Sequence, residues 1–435
     1  MTTVVKIIIV LFLGQLFQGQ NTFAQNYQFD NGKWLIGKAF ERQKVYTVDG
    51  KFTFIRPYKI DSIIDISNSF CIPPFGDAHT HNLDGSYGLK EMITNYLNEG
   101  VFYVQVLANN GKNAVSIRPA LNRSKKIDVT YTNGFLTTTY GHGFYPYEPL
   151  AMGIYSPYLQ YKYVDSVKKS RLVENISYYF LDNVQDVDKK WEAIMKYQPD
   201  NIKIGLLDAA NYELKRKKET VGDNGLSPEV AEYVVKKAHL SGLRVFAHVE
   251  TVEDFRLCVK IGVDVVAHLP GYGWDGDLKT ADKFCMTTAD INLCKKSGIG
   301  IIPTLCVDGV TKYDSLGNPS FDSTKFANKL KYQKQTVKKL YKERIAIGLG
   351  ADYYGKTVEP EIDYLLKYKI LSPKEIIFLW GKSTSQMIFP NRKIGEIREG
   401  FEASFLVLSN NPFKNFETTK DIKLKVKEGK IIRYN

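Results

Sequence analysis

The chain has 435 residues, a length that suits one large domain with a smaller one attached. Hydrophobic residues make up 44% and charged residues 24%, a globular balance that excludes a disordered chain, a collagen and a multi-span membrane protein. The formal net charge is +12, but lysine and arginine are spread out without a long basic block, so the expected partner is a small molecule and not a nucleic acid.

The chain opens on a segment unlike the rest. Lys6 precedes the apolar run Ile7-Ile8-Ile9-Val10-Leu11-Phe12-Leu13, and Thr22-Phe23-Ala24 closes the segment on small residues. A basic start, a short apolar run and a small-residue site describe a secretory signal peptide over residues 1–24. The run is too short to persist as a permanent membrane anchor, so a secreted or periplasmic mature chain is expected. The cysteines, Cys71, Cys258, Cys285, Cys294 and Cys306, show no CxxC spacing, and a disulfide scaffold is not expected at this size.

Short alternating runs follow. Val45-Tyr46-Thr47-Val48, then Asp49-Gly50, then Lys51-Phe52-Thr53-Phe54-Ile55 predict a hairpin with a tight turn. The far end has the same texture: Phe405-Leu406-Val407-Leu408 reads as a buried strand, and Ile422, Leu424 and Val426 alternate before Glu428-Gly429 turns into Lys430-Ile431-Ile432. The two ends, 25–72 and 391–435, are assigned to one small β-sandwich-like domain. Between them, 73–390 alternates strands and helices. Ser227-Pro228 opens a helix carrying Val230, Ala231, Val234, Val235 and Ala238; Thr251 and Asp254 frame the start of another, closed by Gly262; Ser372-Pro373-Lys374-Glu375 opens a third. Strands are predicted near 74–79, 101–107, 129–136, 201–206, 243–248, 263–268, 298–304 and 345–351. This α/β alternation predicts a (β/α)8 TIM barrel, with an open doubly wound sheet as the alternative. No GxGxxG or GxxxxGK[ST] segment points to a nucleotide.

A barrel demands functional side chains at the C-terminal ends of its strands. Of six histidines, four fall there. His79 and His81 end the first strand two positions apart, so both imidazoles can face one ion. His248 ends the fifth strand and His268 the sixth. Asp352 follows the apolar run of the eighth. Lys203 lies in Asn201-Ile202-Lys203-Ile204-Gly205-Leu206; with Ile202 and Ile204 towards the helices, its amine points inward, where a lone ammonium is costly. Two resolutions are open: pairing with a carboxylate, or carboxylation of the amine into an anionic bridge between two cations. His142, in the loop after the third strand beside Tyr140, is a candidate for contacting a substrate carbonyl. Tyr155, Tyr158, Tyr161 and Tyr163, Tyr272 and Trp274, and Tyr353 and Tyr354 are candidates for a pocket wall. His239, mid-helix, is assigned no role.

The set HxH, Lys, His, His, Asp on strands one, four, five, six and eight resembles the amidohydrolase superfamily of metal-dependent hydrolases. Pro73-Pro74-Phe75-Gly76-Asp77-Ala78-His79-Thr80-His81 is similar to that family's first-strand motif, and Gly395-Glu396-Ile397-Arg398-Glu399-Gly400 before Phe405 resembles its C-terminal signature. Ser404 departs from it, lying where the family usually has an aspartate, which bears on local packing rather than catalysis. The stretch Ala267-His268-Leu269-Pro270 looks closest to the imidazolonepropionase-like and dipeptidase-like branch. The resemblance implies two divalent ions, zinc foremost with manganese, iron or cobalt as alternatives: His79, His81 and Asp352 on one, His248 and His268 on the other, and carboxylated Lys203 bridging. It implies a metal-bridging hydroxide as nucleophile and Asp352 as proton carrier; His142, Tyr140 and Tyr272 are the substrate-binding candidates by their loop positions. The expected activity is hydrolysis of a carbon–nitrogen bond in an amide, a cyclic amide or a small peptide. A phosphotriester or ester hydrolase and a catalytically silent binding barrel are the alternatives, and the pattern leaves the oligomeric state open.

Overall fold

The computed structural model describes residues 25–307, 310–313 and 319–433; the expected export segment, 1–24, lies outside the described residues. Strands from both ends of the chain share one sheet. Its order is Lys430–Ile431, Ile422–Lys427, Phe405–Leu408, Phe70–Ile72, Lys33–Ile36, Ala39–Arg42. A second sheet, ordered Lys51–Thr53, Val45–Val48, Tyr27–Asp30, Ser62–Asp65, packs with it around Phe29, Trp34, Val45, Phe52, Phe405 and Val407. Both predicted hairpins are present. Their turns, Asp49-Gly50 and Glu428-Gly429, each place two successive residues at positive φ (49° and 75°; 50° and 69°), the twist that suits two-residue hairpin loops. Ser404 resolves its departure locally: its hydroxyl donates to Glu402 Oε1 at 2.7 Å and accepts from the Glu428 amide at 3.0 Å.

The middle of the chain forms two parallel sheets. One is Phe75–Thr80, Val101–Val106 and Asp128–Tyr131. The other runs Tyr178–Phe180, Phe135–Thr137, Asn201–Gly205, Arg244–His248, Val265–Ala267, Gly300–Ile302. Parallel neighbours need crossovers, and helices Pro228–Leu240, Val252–Ile261 and Thr288–Ser297 supply three of them. Each starts where a side chain accepts from a free amide: Ser227 from Val230, Thr251 from Asp254, Thr287 from Asp290. The predicted capping boxes at Thr251 and Ser372 are both formed, and Gly262 closes its helix at φ 85°. The buried faces Val230, Ala231, Val234, Val235 and Ala238, and Phe255 and Cys258, join the same core as the strands.

The strand pattern differs from the expectation in three ways. The run predicted at 129–136 is broken by Asn133 and Gly134, both at positive φ, into Asp128–Tyr131 and Phe135–Thr137, which belong to different sheets. Tyr178–Phe180 pairs with Phe135–Thr137 as a strand the periodicity did not reveal. The predicted strand at 345–351 is not a ladder strand; among the described residues it makes one bridge, Ile301 to Ile347. The described ladders therefore do not close into the expected eight-stranded ring. The 345–352 segment nevertheless bonds on both sides. Gly348 N donates to Ile301 O at 3.0 Å, while Ala78 N donates to Leu349 O at 2.8 Å and Asp352 N to His79 O at 2.9 Å. Gly350 is required here, because a Cβ would lie 2.4 Å from the His79 amide nitrogen. No helix among the described residues is long and apolar enough to cross a membrane.

Candidate metal centre

Parallel ladders put the strand ends on one side, and register sets the depth of each side chain. Gly205 lies opposite His248, and His248 opposite Ala267, so His248 and His268 emerge at one level. Lys203 lies opposite Phe246, two residues lower on its strand. His79 and His81 leave the end of Phe75–Thr80, and Asp352 joins them through its amide bond to His79 O. Asp352 sits at φ 58°, a left-handed conformation that aspartate tolerates better than most residues.

His79, His81 and Asp352 offer ligand atoms that all lie within 4.8 Å of one another. Asp352 Oδ1 is 3.0 Å from His79 Nε2 and 2.9 Å from His81 Nε2. Its other oxygen accepts from the Tyr272 hydroxyl at 2.8 Å and lies 3.9 Å from His268 Nε2. His268 Nε2 is 3.0 Å from His248 Nδ1, and the rings of His79 and His268 have centroids 5.0 Å apart. His142 approaches from the other flank, its ring 4.3 Å from that of His248. The six residues expected to hold metal thus share one neighbourhood, with His142 and Tyr272 against it.

The outward nitrogens are mostly engaged. Ala108 O lies 3.3 Å from His81 Nδ1, Glu250 Oε1 3.1 Å from His248 Nε2, and Thr304 Oγ1 2.5 Å from His268 Nδ1. Such partners fix ring orientation and leave the inner nitrogens free to coordinate. The Tyr147 hydroxyl stands 3.4 Å from His81 Nδ1. Sequence reasoning did not single out Tyr147, Glu250 or Thr304; Glu250, two residues beyond His248, was the one its position could have flagged.

Burial dominates the electrostatics. It draws His79 down to about 4, against the pull of Asp352, and His248 to about 3 with Lys203 adding to the shift. His142 falls to about 3 through burial and the nearby His248, and His268 falls well below its usual value. Neutral imidazoles are the form that binds metal. Burial alone would raise the Asp352 carboxyl, but His79 and His268 and the hydrogen bonds from His79 and His81 outweigh it, so it is an anion. The Lys203 amine is 2% exposed and has no hydrogen-bond partner among the described residues; burial lowers it to about 7, with Asp352 opposing. His79 Nδ1 is likewise buried and unpartnered. Unpaired buried polar atoms cost about 1–3 kcal/mol each, so such a cluster is held by a fold that keeps the groups for another purpose.

Other candidates lie elsewhere. Tyr140 packs on Phe144 and Phe180 beneath Lys168 and Arg171, in an aromatic cluster beside the histidines. Trp274 turns into the core against Tyr332, its indole N–H donating to Asp277 O, which removes it from the expected wall. Tyr155, Tyr158, Tyr161 and Tyr163 are exposed, as is Tyr354. Tyr353 contributes its backbone, accepting from the His81 amide at 3.2 Å. His239 pairs with Asp264 on the exterior at 3.0 Å. All five cysteines are free thiols.

No family model and no curated relative matches the sequence. Solved structures do match in shape. A Xaa-Pro dipeptidase with bound methionine aligns over 94% of this chain and 99% of its own, with a TM-score of 0.66 and 17% identity. Ochratoxinase from A. niger aligns over 95% and 96%, with a TM-score of 0.69 and 17% identity. Molinate hydrolase aligns over 94% and 95%, with a TM-score of 0.63 and 13% identity. At these identities the likeness establishes shared architecture, and it spans nearly the whole chain. The resemblance read from the strand-end residues is borne out at the level of architecture: the protein shares the fold of these solved hydrolases, and of one described as an amidohydrolase at 19% identity.

Proposed function

We propose that this protein is an exported metal-dependent hydrolase that cuts a carbon–nitrogen bond in an amide, a cyclic amide or a small peptide. The observation that carries the reading is the Lys203 amine, without a hydrogen-bond partner among the described residues and buried one layer below four inward-facing imidazoles and one anionic carboxylate. In this reading the two parallel sheets and the 345–352 segment are arcs of one (β/α)8 barrel, and residues 1–24 are removed on export.

The residues fit a pair of divalent cations. Tetrahedral zinc holds nitrogen and oxygen ligands at about 2.0–2.2 Å, so its ligand atoms sit about 3.4 Å apart, near the 2.9–3.0 Å separations here. His79, His81 and Asp352 would hold one cation and His248 and His268 the other. An amine drawn to about 7 is neutral in a substantial fraction near physiological pH, and the neutral form can add to carbon dioxide, forming an N–C bond and releasing one proton. A carboxylated Lys203 would supply the anionic oxygen ligands that an ammonium cannot. Bound divalent cations would lower the pKa of a water and polarise the substrate carbonyl.

The chain's own residues do the rest. Asp352, held as an anion, accepts a proton from the attacking water and returns it to the leaving nitrogen. The Tyr272 hydroxyl donates to Asp352 Oδ2 and steadies the carboxylate between those transfers. His142, neutral and beside His248, is placed to donate to the substrate carbonyl oxygen. Dipeptidase, ochratoxinase and molinate hydrolase neighbours support chemistry of this kind in this architecture.

Elemental analysis of protein prepared without chelator should approach two equivalents of metal, and a firm value of one removes the bridging role of Lys203. Turnover is then measured on dipeptides, N-acyl amino acids and lactams beside esters and phosphotriesters. Preference for the latter two overturns the carbon–nitrogen assignment, and two equivalents of metal with no turnover identify a silent binding barrel.

A further inference from the structure

The second cation position is framed by His248 and His268, and what fixes the proton on His268 lies on a different strand. Thr304 follows Gly300–Ile302, is 1% exposed, and places Oγ1 2.5 Å from His268 Nδ1. A hydroxyl has one proton, so its direction matters. Thr304 Oγ1 donates to Pro303 O at 2.8 Å, and that carbonyl also accepts from Leu269 N at 3.3 Å, tying the end of the sixth predicted strand to the seventh. With its proton spent on a carbonyl, Oγ1 can only accept from His268, which places the imidazole proton on Nδ1.

The neighbouring ring is fixed the same way. Burial raises the Glu250 carboxyl, while the Gly273 amide donating to its Oε2 at 3.1 Å favours the anion; the anion accepts at Oε1, so His248 donates from Nε2 and turns the Nδ1 lone pair inward. The two inner nitrogens, His248 Nδ1 and His268 Nε2, then face each other as lone pairs 3.0 Å apart. Two acceptors at that separation repel unless a cation lies between them.

The backbone pays for this arrangement. Thr304 stands at φ 48°, a left-handed conformation that a β-branched residue adopts at a cost of about 1–3 kcal/mol. It is held there from below: Glu361, fully buried in helix Glu359–Lys367, accepts from the Cys306 amide at 2.8 Å and so fixes the turn that follows Thr304. Strain at a buried side chain bonded to an imidazole points to a use for that side chain.

We propose that Thr304 is a positioning residue that sets the tautomer of His268, presenting its Nε2 lone pair to a divalent cation shared with His248. The inference rests on the metal-centre reading above and adds to it the residue that makes one of the two positions competent.

The test compares Thr304→Val, Thr304→Ala and Thr304→Ser in the full chain, titrated with Zn²⁺ and Co²⁺ against a competing chelator, with Co²⁺ absorption as a second readout. Losing the hydroxyl should weaken one of two equivalents about 10–100-fold and leave the other unchanged, the usual effect of removing a partner of a ligand. Thr304→Ser should match the parent in affinity and spectrum. If Thr304→Val does not fold, Thr304→Ala, which keeps no hydroxyl and no branch, decides. Equal binding of both cations by Thr304→Ala or Thr304→Val overturns this inference alone, as does a Thr304→Ser variant as weak as Thr304→Ala. A parent chain that takes up no second cation overturns it together with the metal-centre reading.

Discussion

Lys203 and Lys427 are both buried, and their surroundings are opposite. Lys427 ends strand Ile422–Lys427 with its ammonium fully enclosed, and every proton has an acceptor: Asp128 Oδ1 at 2.5 Å, Arg123 O at 2.9 Å and Lys126 O at 2.8 Å. Asp128 in turn accepts from Arg392 at 2.8 Å, and Arg392 reaches Glu402 at 2.6 Å, so the network lashes the C-terminal sheet to the start of strand Asp128–Tyr131. Lys203, on strand Asn201–Gly205 of the six-stranded parallel sheet, is buried as well, and its amine has no hydrogen-bond partner among the described residues. A saturated buried charge ties elements together; an unsaturated one is kept for chemistry.

The widest separation between the two regions should be catalytic. Asp352→Asn, reconstituted to the parent's metal content, should lower kcat about 10²–10⁴-fold, the usual cost of removing a positioned acid–base group. Steady-state kinetics check this, and a near-normal kcat moves the proton carrier to another residue, with His142 next to examine.

Stability sharpens the same contrast with opposite signs. In metal-free protein held without carbon dioxide, Lys203 carries a proton with an affinity near 7 when folded and near its ordinary 10.5 when unfolded. The unfolded chain therefore binds more protons between those values, and stability rises with pH across that window. Replacing the amine with Lys203→Met should stabilise the metal-free chain most at pH 7 and below. The upper bound is about 5 kcal/mol, from about 1.4 kcal/mol per pH unit, and the gain should fade as pH approaches 10.5. Denaturant unfolding at pH 6, 8 and 10 reads it, and a pH-independent effect breaks the contrast.

Lys427→Met should do the reverse at neutral pH. It should destabilise by about 3 kcal/mol, the lower end for breaking a buried pair, because Arg392 stays on Asp128. Metal content and kcat should be unchanged, and a loss of metal would place Lys427 in the same functional unit as Lys203.

The smallest effect is expected at the edge of the site. His142→Asn should act partly through KM, since a lost carbonyl contact weakens the ground state as well as the transition state, by about tenfold in kcat/KM. Its metal stoichiometry should match the parent, which elemental analysis checks alongside the kinetics.

Much of the site was legible because a parallel strand is an apolar run, and a polar residue at its end stands out. That contrast identified His248, His268 and Asp352, and the two-residue period identified His79, His81 and Lys203, all of which lie together. The wall residues were legible only as aromatic. Trp274 and Tyr272 are two positions apart in one loop, yet one enters the core and the other bonds Asp352, because loops carry no period that fixes direction.

What the sequence alone determined, then, is local: caps at Thr251 and Ser372, both two-residue hairpin turns, and the strand-end ligand types, since each depends on neighbours in the chain. The tertiary structure decided the rest. The 345–352 segment makes a single bridge instead of a ladder and, through Gly350, runs close against His79, while Asn133 and Gly134 split one predicted strand between two sheets. Thr304 and Tyr147 became partners of the histidines only through folding; Thr304 is 36 residues from the imidazole it orients. A hydrogen bond is a through-space relation of about 3 Å, and no spacing along a chain encodes it when the two groups belong to different strands.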